Sequence, residues 1–157
     1  MENTSQKAGI TMLEIIVVVT VIVIIAAGTF SIFSSFMANT YVDDTAQEIV
    51  YTLRKANTNT IARYYDLRWG VYFDDTAKSF TLFAGESYAA RNAQHDVATN
   101  LPASVTLSQI SFNGGGKEVV FRKIAGDTTR YGSLKVQSTG GRERTITINQ
   151  LGQIEIN

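Results

Sequence analysis

The alternation of apolar and polar positions changes character along the chain, and each regime predicts a different element. Residues 1–9, MENTSQKAG, are mostly polar. From Ile15 to Val42 no residue is charged, a span of roughly 28 residues against the ~20 that cross a bilayer as a helix. Its core, IIVVVTVIVIIAAG, shows no polar face, unlike a helix that lies on the surface of a globular core. It is rich in β-branched residues, which are mediocre helix formers in water. In lipid a single segment satisfies its backbone only as a helix, so the run predicts a transmembrane helix. A cleaved secretory signal has a shorter apolar core, ~7–15 residues, with a small-x-small site behind it.

Beyond Asp43 the period becomes helical and amphipathic. Ala46, Ile49, Val50, Leu53, Ala56, Ile61 and Tyr64 recur at three- and four-residue steps, a stripe fit to face a core. No proline interrupts it, so residues from Ile10 to about Tyr65 predict one helix, roughly 80 Å long at 1.5 Å per residue. Ser31, Ser34 and Ser35 soften the junction between its halves. From Asp66 the period falls to two. LRWGVYF and SFTLF predict strands joined by the turn DDTAK. The polar AGESYAARNAQHDVATN predicts a surface loop with a helical turn. SVTLSQISF, EVVFRKI, GSLKVQS, RTITIN and QIEI then predict antiparallel strands separated by glycine-rich turns. In the last pair Ile146, Ile148, Leu151, Ile154 and Ile156 form the expected core-facing set. The fold class is therefore α+β, a long N-terminal helix packed on an antiparallel β-sandwich. The expected segments are 1–9, a leader; 10–38, the apolar helix; 39–65, its amphipathic continuation; and 66–157, a β-rich domain large enough for its own core.

Composition narrows the chemistry. The 157 residues carry zero formal net charge, so nothing draws the whole chain to nucleic acid or acidic lipid. There is no cysteine, which excludes disulfides and thiolate metal sites. One histidine and no HxxH spacing argue against a catalytic zinc. The expectation is a non-enzymatic protein without a cofactor or metal.

Glu14 is the anomaly. A carboxylate inside the apolar phase costs about 2.5–3.5 kcal/mol on insertion scales. One reading is that it marks the membrane boundary, where the side chain reaches the interface. The other is that it is retained for a counter-charge, such as the free α-amine of a neighbouring subunit at the same depth. That amine exists there only if the leader is removed after Gly9.

KAG followed by ITMLEIIVVVTVIVIIAAG resembles the leader and first helix of type IV pilins and type II secretion pseudopilins. The resemblance is specific over some 20 residues. It implies cutting by a prepilin peptidase between Gly9 and Ile10, N-methylation of Ile10, and an assembly role for Glu14, the fifth mature residue. It further implies pilin or pseudopilin neighbours in a filament and an inner-membrane assembly platform. Ile10 stands where phenylalanine is usual, and the first helix lacks the proline that kinks it in many pilins. Lys7 in the leader and Asp43 and Asp44 beyond the run agree with the leader inside and the rest outside. The expected location is the cytoplasmic membrane, single-pass, with the C-terminal domain periplasmic or extracellular.

The order of elements sharpens the resemblance. Major pilins commonly carry a C-terminal disulfide loop, and calcium-binding major pseudopilins an acidic one; neither is present. The helix AQEIVYTLRKANTNTIAR, the opening hairpin LRWGVYFD and the closing hairpin RTITINQLGQIEI are similar to those of H-type minor pseudopilins and FimT-like minor pilins.

Other constellations offer less. His95 lies beside Asp96 in AQHDVA, but adjacent side chains diverge and make no dyad. NGGGK lacks the P-loop frame and a following helix, and reads as a flexible turn. Asp74, Asp75 and Asp127 have no EF-hand spacing and read as turn acids. Gly141, Arg142 and Arg144 match a GRxR pattern that, by resemblance to some FimT-like minor pilins, implies DNA contact. Lys135, Arg122 and Lys123 are candidates to lie near it, and such contacts would be salt-sensitive. The opposing reading is a charged turn that keeps a sheet edge soluble.

The expected function is that of a minor pseudopilin in a type II secretion pseudopilus. The alternatives are a minor type IV pilin in pilus assembly or DNA uptake, and an ordinary single-pass membrane protein with an exported binding domain.

Overall fold

The computed structural model describes residues 10–157; at 29–32 and 34 only the backbone is described. Gly9 lies outside the described residues. Helix α1 runs from Met12 to Ile61. Eight strands follow: β1 Trp69–Asp74, β2 Ser79–Ala84, β3 Val97–Asn100, β4 Val105–Phe112, β5 Glu118–Val120, β6 Gly132–Ser138, β7 Glu143–Ile148 and β8 Ile154–Ile156. They form two antiparallel four-stranded sheets, ordered β3-β2-β1-β5 and β4-β6-β7-β8. The α+β class with a helix on antiparallel sheets stands. The described residues divide into two compact units, 10–36 and 37–157.

From Met12 to Gly28 the helix displays apolar side chains on every side. Ile15, Ile16, Val17, Val18 and Val19 are consecutive, and each is at least half exposed. The hydroxyl of Thr20 donates to the Ile16 carbonyl at 2.7 Å, so the single polar side chain between Ile15 and Gly28 is satisfied within the helix. Among the described residues no helix is long and apolar enough to cross a membrane. The stretch whose side chains are described, Ile15–Gly28, is shorter than the ~20 residues that a crossing needs.

Unit 37–157 has one core. Val42, Ala46, Ile49, Leu53 and Ala56 fall on one helix face and join Trp69, Val71 and Phe73 of β1, Phe80 and Leu82 of β2, and the inward residues of β4, β6 and β7. The three- and four-residue spacing of that stripe is what lets a helix present a continuous apolar face. Ile61 and Tyr64, expected on the stripe, are about half exposed. The helix ends earlier than expected because Arg63 adopts a left-handed conformation, φ 52°, which usually marks a helix C-terminus. Thr60 takes the last inward position instead. Its buried hydroxyl accepts the Trp69 N–H at 2.9 Å and donates to the Ala56 carbonyl at 2.8 Å, joining the helix end to the start of β1.

Ile146, Ile148 and Ile154 face the core as expected. Leu151 is exposed because it sits in the tight turn closed by Gly152 N–H to Asn149 C=O. Ile156 is partly exposed at the end of the edge strand β8. The expected loop 84–100 holds an edge strand, β3, whose side chains are mostly exposed, so it carries no alternation to detect. The rest of that loop folds onto the outer face of β1 and β2. Tyr88 stacks on Tyr72 with centroids 4.0 Å apart, and Phe83 meets its edge.

Candidate functional site

Two groups of residues carry the chemistry expected from the sequence: the start of α1, and the hairpin between β6 and β7.

At the start of α1, Thr11 precedes the first helical residue, and its hydroxyl accepts the Glu14 N–H at 3.3 Å. Thr11 is therefore the N-cap, and Glu14 the third helical residue. T-M-L-E has the form of a capping box, with Ile10 and Ile15 in the positions of a hydrophobic staple. A carboxylate in the first turn is also favoured by the partial positive charge of the helix N-terminus. The sequence reading missed this local role for Glu14, although the T-x-x-E spacing signals it. Ile10 and Met12 are largely exposed, so a chain beginning at residue 10 would present its amine at the open end of the capped helix.

At the hairpin, both arginines of the GRxR pattern point to one acceptor on α1. Arg142 reaches the two carboxylate oxygens of Asp43 at 3.1 and 2.7 Å, and Arg144 Nε donates to Oδ1 at 2.7 Å. Ser138, at the end of β6, completes the contact. Its hydroxyl donates to Asn39 Oδ1 at 3.1 Å and accepts the N–H groups of Gly140 and Arg142. Gly140 lies so close that a Cβ there would stand 2.9 Å from Asn39 Oδ1. Burial works to raise the Asp43 pKa, but the hydrogen bonds from Arg144 and Arg142, with their charges, outweigh it and hold the carboxyl below its ordinary value of 3.8. Nothing local in the sequence announces this clamp, because the partners are 99 and 101 residues apart.

Glu143, between the arginines, pairs with Lys135 of β6 at 3.1 Å, as strand alternation requires. Of the other cations named beside the hairpin, Arg122 and Lys123 follow β5 in the other sheet. Arg122 is held by Asp127 and Lys123 by Asp66. The basic residues are thus dispersed, each with its own carboxylate, and do not gather into one patch with Arg142 and Arg144.

The remaining candidates resolve into structure. The His95 ring stacks on Tyr65 at 4.6 Å, while Asp96 pairs with Arg91 at 2.6 Å. Gly114, Gly115 and Gly116 all have left-handed φ values, and Arg130 donates to the Gly115 carbonyl at 2.6 Å. Asp74 Oδ1 caps its turn by accepting the N–H groups of Thr76 and Ala77. Asp75 pairs with Lys117. Among the described residues no group of three or more histidine, cysteine or acidic side chains is placed to hold a metal.

No protein-family model matches the chain, and no curated protein matches it in sequence. The solved structures do match it in fold. A structure of the minor pseudopilin EpsH from the type 2 secretion system of Vibrio cholerae superimposes with a TM-score of 0.57 and 14% identity, covering 74% of this chain and 94% of that one. A crystal structure of the same Vibrio cholerae protein gives a TM-score of 0.58, again at 14% identity, over 75% and 94% of the two chains. The chain therefore has the fold of these minor pseudopilins, a pilin-type helix on a β-sandwich.

Proposed function

We propose that the protein is a non-enzymatic minor pseudopilin of a type II secretion pseudopilus. It is inserted in the cytoplasmic membrane by residues 10–38, cut after Gly9, methylated at Ile10, and drawn into a filament by its N-terminal helix. What supports this reading is one combination: a fold shared with a minor pseudopilin, and ahead of it Gly9, Ile10 directly after it, and a carboxylate four positions further on in an otherwise uncharged run. The proposed mechanism is helix packing. Apolar helices leave lipid for a bundle of their own kind, and Glu14 meets the amine of an adjacent Ile10. The proposed partners are the other pseudopilins, the prepilin peptidase and the inner-membrane assembly platform.

In the minor-pilin reading with DNA contact at Arg142 and Arg144, both guanidiniums already share Asp43 and among the described residues no further cations gather beside them, so the secretion reading is preferred.

The test is the mass of the mature N-terminus from cells with an active prepilin peptidase. A chain starting at N-methylated Ile10 is expected. A chain that keeps residues 1–9 in those cells refutes the proposal in favour of an ordinary single-pass protein.

A further inference from the structure

The second sheet runs alongside α1, and its contacts fix which end of the sheet meets which part of the helix. Asn57 donates to the Gly152 carbonyl at 3.3 Å and Arg54 to the Ile154 carbonyl at 3.4 Å. Arg142 and Arg144 reach Asp43, and Ser138 reaches Asn39 at 3.1 Å. The tip of the β6–β7 hairpin, residues 139–141, is thus the end of the sheet beside Asn39. The Thr139 N–H donates to the Ser104 carbonyl at 2.9 Å, which brings the turn 102–104 to the same end. Neither turn carries a charge: one reads Pro-Ala-Ser and the other Thr-Gly-Gly. Ala103, Thr139, Gly140 and Gly141 are exposed. The charges around the two turns are of both signs. Asp43 holds Arg142 and Arg144, Glu143 holds Lys135, Lys78 Nζ donates to the Ala103 carbonyl at 3.2 Å, and Asp44 is exposed on α1.

Chain length sets the level of this end. Residues 10–38 cover roughly 44 Å as a helix at 1.5 Å per residue, close to the ~40–45 Å of a bilayer with its headgroups. Asn39 follows directly, and no charge occurs between Ile15 and Val42. Tyr41 is 39% exposed, and tyrosine is enriched where a chain leaves lipid. From these observations we infer that the membrane-inserted chain rests the turns 102–104 and 139–141 on the outer headgroup layer. The inference depends on the membrane insertion of residues 10–38 proposed above. The surface that meets the headgroups is uncharged at its centre and mixed in sign at its rim. It therefore suits zwitterionic phospholipid, whose phosphate and ammonium groups supply both kinds of partner, and it needs no excess of anionic lipid. The hydroxyls of Ser104 and Thr139 offer donors to the phosphates. The contacts to Asn39 and Asp43 hold the hairpin at that level.

The experiment uses the full chain in phosphatidylcholine vesicles. The sequence has no cysteine, so one introduced cysteine carries one fluorescent label. Labels are placed through Thr139→Cys and Ala103→Cys on the two turns, Gln150→Cys in the exposed turn before β8, and Val23→Cys in the apolar run. The vesicles carry a nitroxide quencher either on the headgroup or at mid-chain. Headgroup nitroxide is expected to quench the labels at positions 139 and 103 and to leave the label at position 150 bright. Mid-chain nitroxide should quench only the label at position 23. Asp43→Asn, added to Thr139→Cys, loosens the hairpin from α1 and should weaken the headgroup quenching at position 139. Quenching at position 23 with none at 139 and 103 would overturn the inference and leave the insertion reading standing. No quenching at position 23 would overturn both. Equal headgroup quenching at positions 139 and 150 would overturn the inference as well. So would shielding of positions 139 and 103 from headgroup nitroxide that disappears as the protein is diluted in lipid, which would assign this end to a second copy of the chain.

Discussion

Replacing Asp43 by asparagine keeps the shape of the side chain and removes the charge that Arg142 and Arg144 share. The carboxylate is 30% exposed and the guanidiniums 40% and 37%, so solvent screens the interaction in part. An exposed ion pair contributes ~0.2–1 kcal/mol, and a hydrogen bond to a charged group ~1.5–3 kcal/mol when well shielded. With two partners and partial exposure, a loss of about 1–2 kcal/mol is expected at neutral pH. For a unit of this size that lowers Tm by roughly 3–8 °C. Because the clamp joins only the β6–β7 hairpin to α1, the amides of Gly140 and Arg142 should also exchange faster, ahead of global opening.

The pH dependence supplies a sharper test. The folded-state pKa of Asp43 is depressed below 3.8, so the unfolded chain binds a proton there before the folded chain does. The stabilisation is complete above the ordinary carboxylate range and fades as pH falls below 3.8 through the depressed value. Urea denaturation of wild type and Asp43→Asn at a series of pH values should give curves that are separated at pH 7 and converge in acid. Arg142→Ala combined with Arg144→Ala should add little to Asp43→Asn, since all three changes remove one network. Equal stability at neutral pH, or a difference that persists below the titration of Asp43, would refute the clamp.

Thr60→Val keeps the volume of a buried side chain but leaves the Trp69 amide without its acceptor; a loss of about 1–3 kcal/mol is expected in chemical denaturation followed by the fluorescence of Trp69. Gly152 has φ 77°, and a Cβ there would stand 2.1 Å from the Gly126 carbonyl oxygen and 2.8 Å from Asn57 Nδ2. Gly152→Ala should therefore cost more than the ~1 kcal/mol of a simple left-handed glycine, with Asn57 losing its bonds to the Gly126 and Gly152 carbonyls, measurable as a drop in the urea midpoint. Glu14→Gln separates the two roles of that residue, because glutamine also serves in a capping box: helix content by circular dichroism should be unchanged while entry into filaments, read by co-purification with assembled subunits, is lost. Normal assembly of Glu14→Gln would remove the pairing with an adjacent amine.

Legibility from sequence followed the range of the interactions. The helix, the strand-rich remainder and the inward set Ala46, Ile49, Val50, Leu53 and Ala56 rest on local periodicity and were readable. Strand alternation alone also accounts for Glu143 turning to Lys135 while Arg144 turns to Asp43. What escaped depends on partners remote in sequence or on backbone that breaks the pattern. The helix stops at Ile61 because Arg63 turns left-handed, with no glycine or proline to mark it. β3 has almost no buried face, so it produces no alternation and reads as loop. Asp43 looked like a boundary charge, yet it holds a hairpin some hundred residues away.

The two units differ in a way that bears on how the proposed filament would be driven. In 37–157 the polar groups mostly answer one another. In 10–36 the large apolar side chains from Met12 to Ile25 are 49–82% exposed, on every side of the helix. Covering one such side chain fully is favourable by ~1.5–3 kcal/mol, so covering the segment outweighs the ~5–15 kcal/mol that holds a typical domain together. A partner on one face does not meet that demand; an environment on all sides does, either lipid or a bundle of like helices. Those two environments are nearly equal in apolarity, since lipid tails offer no less hydrophobic contact than neighbouring side chains. The hydrophobic term therefore keeps the helix out of water but does not choose between membrane and bundle. The choice falls to close packing and to polar groups, and Glu14 is the one charged residue from Ile10 to Val42. Under the proposed function, a carboxylate that is costly in lipid and paired in the bundle would bias the transfer in one direction, at the end of the helix where a new amine at residue 10 would lie.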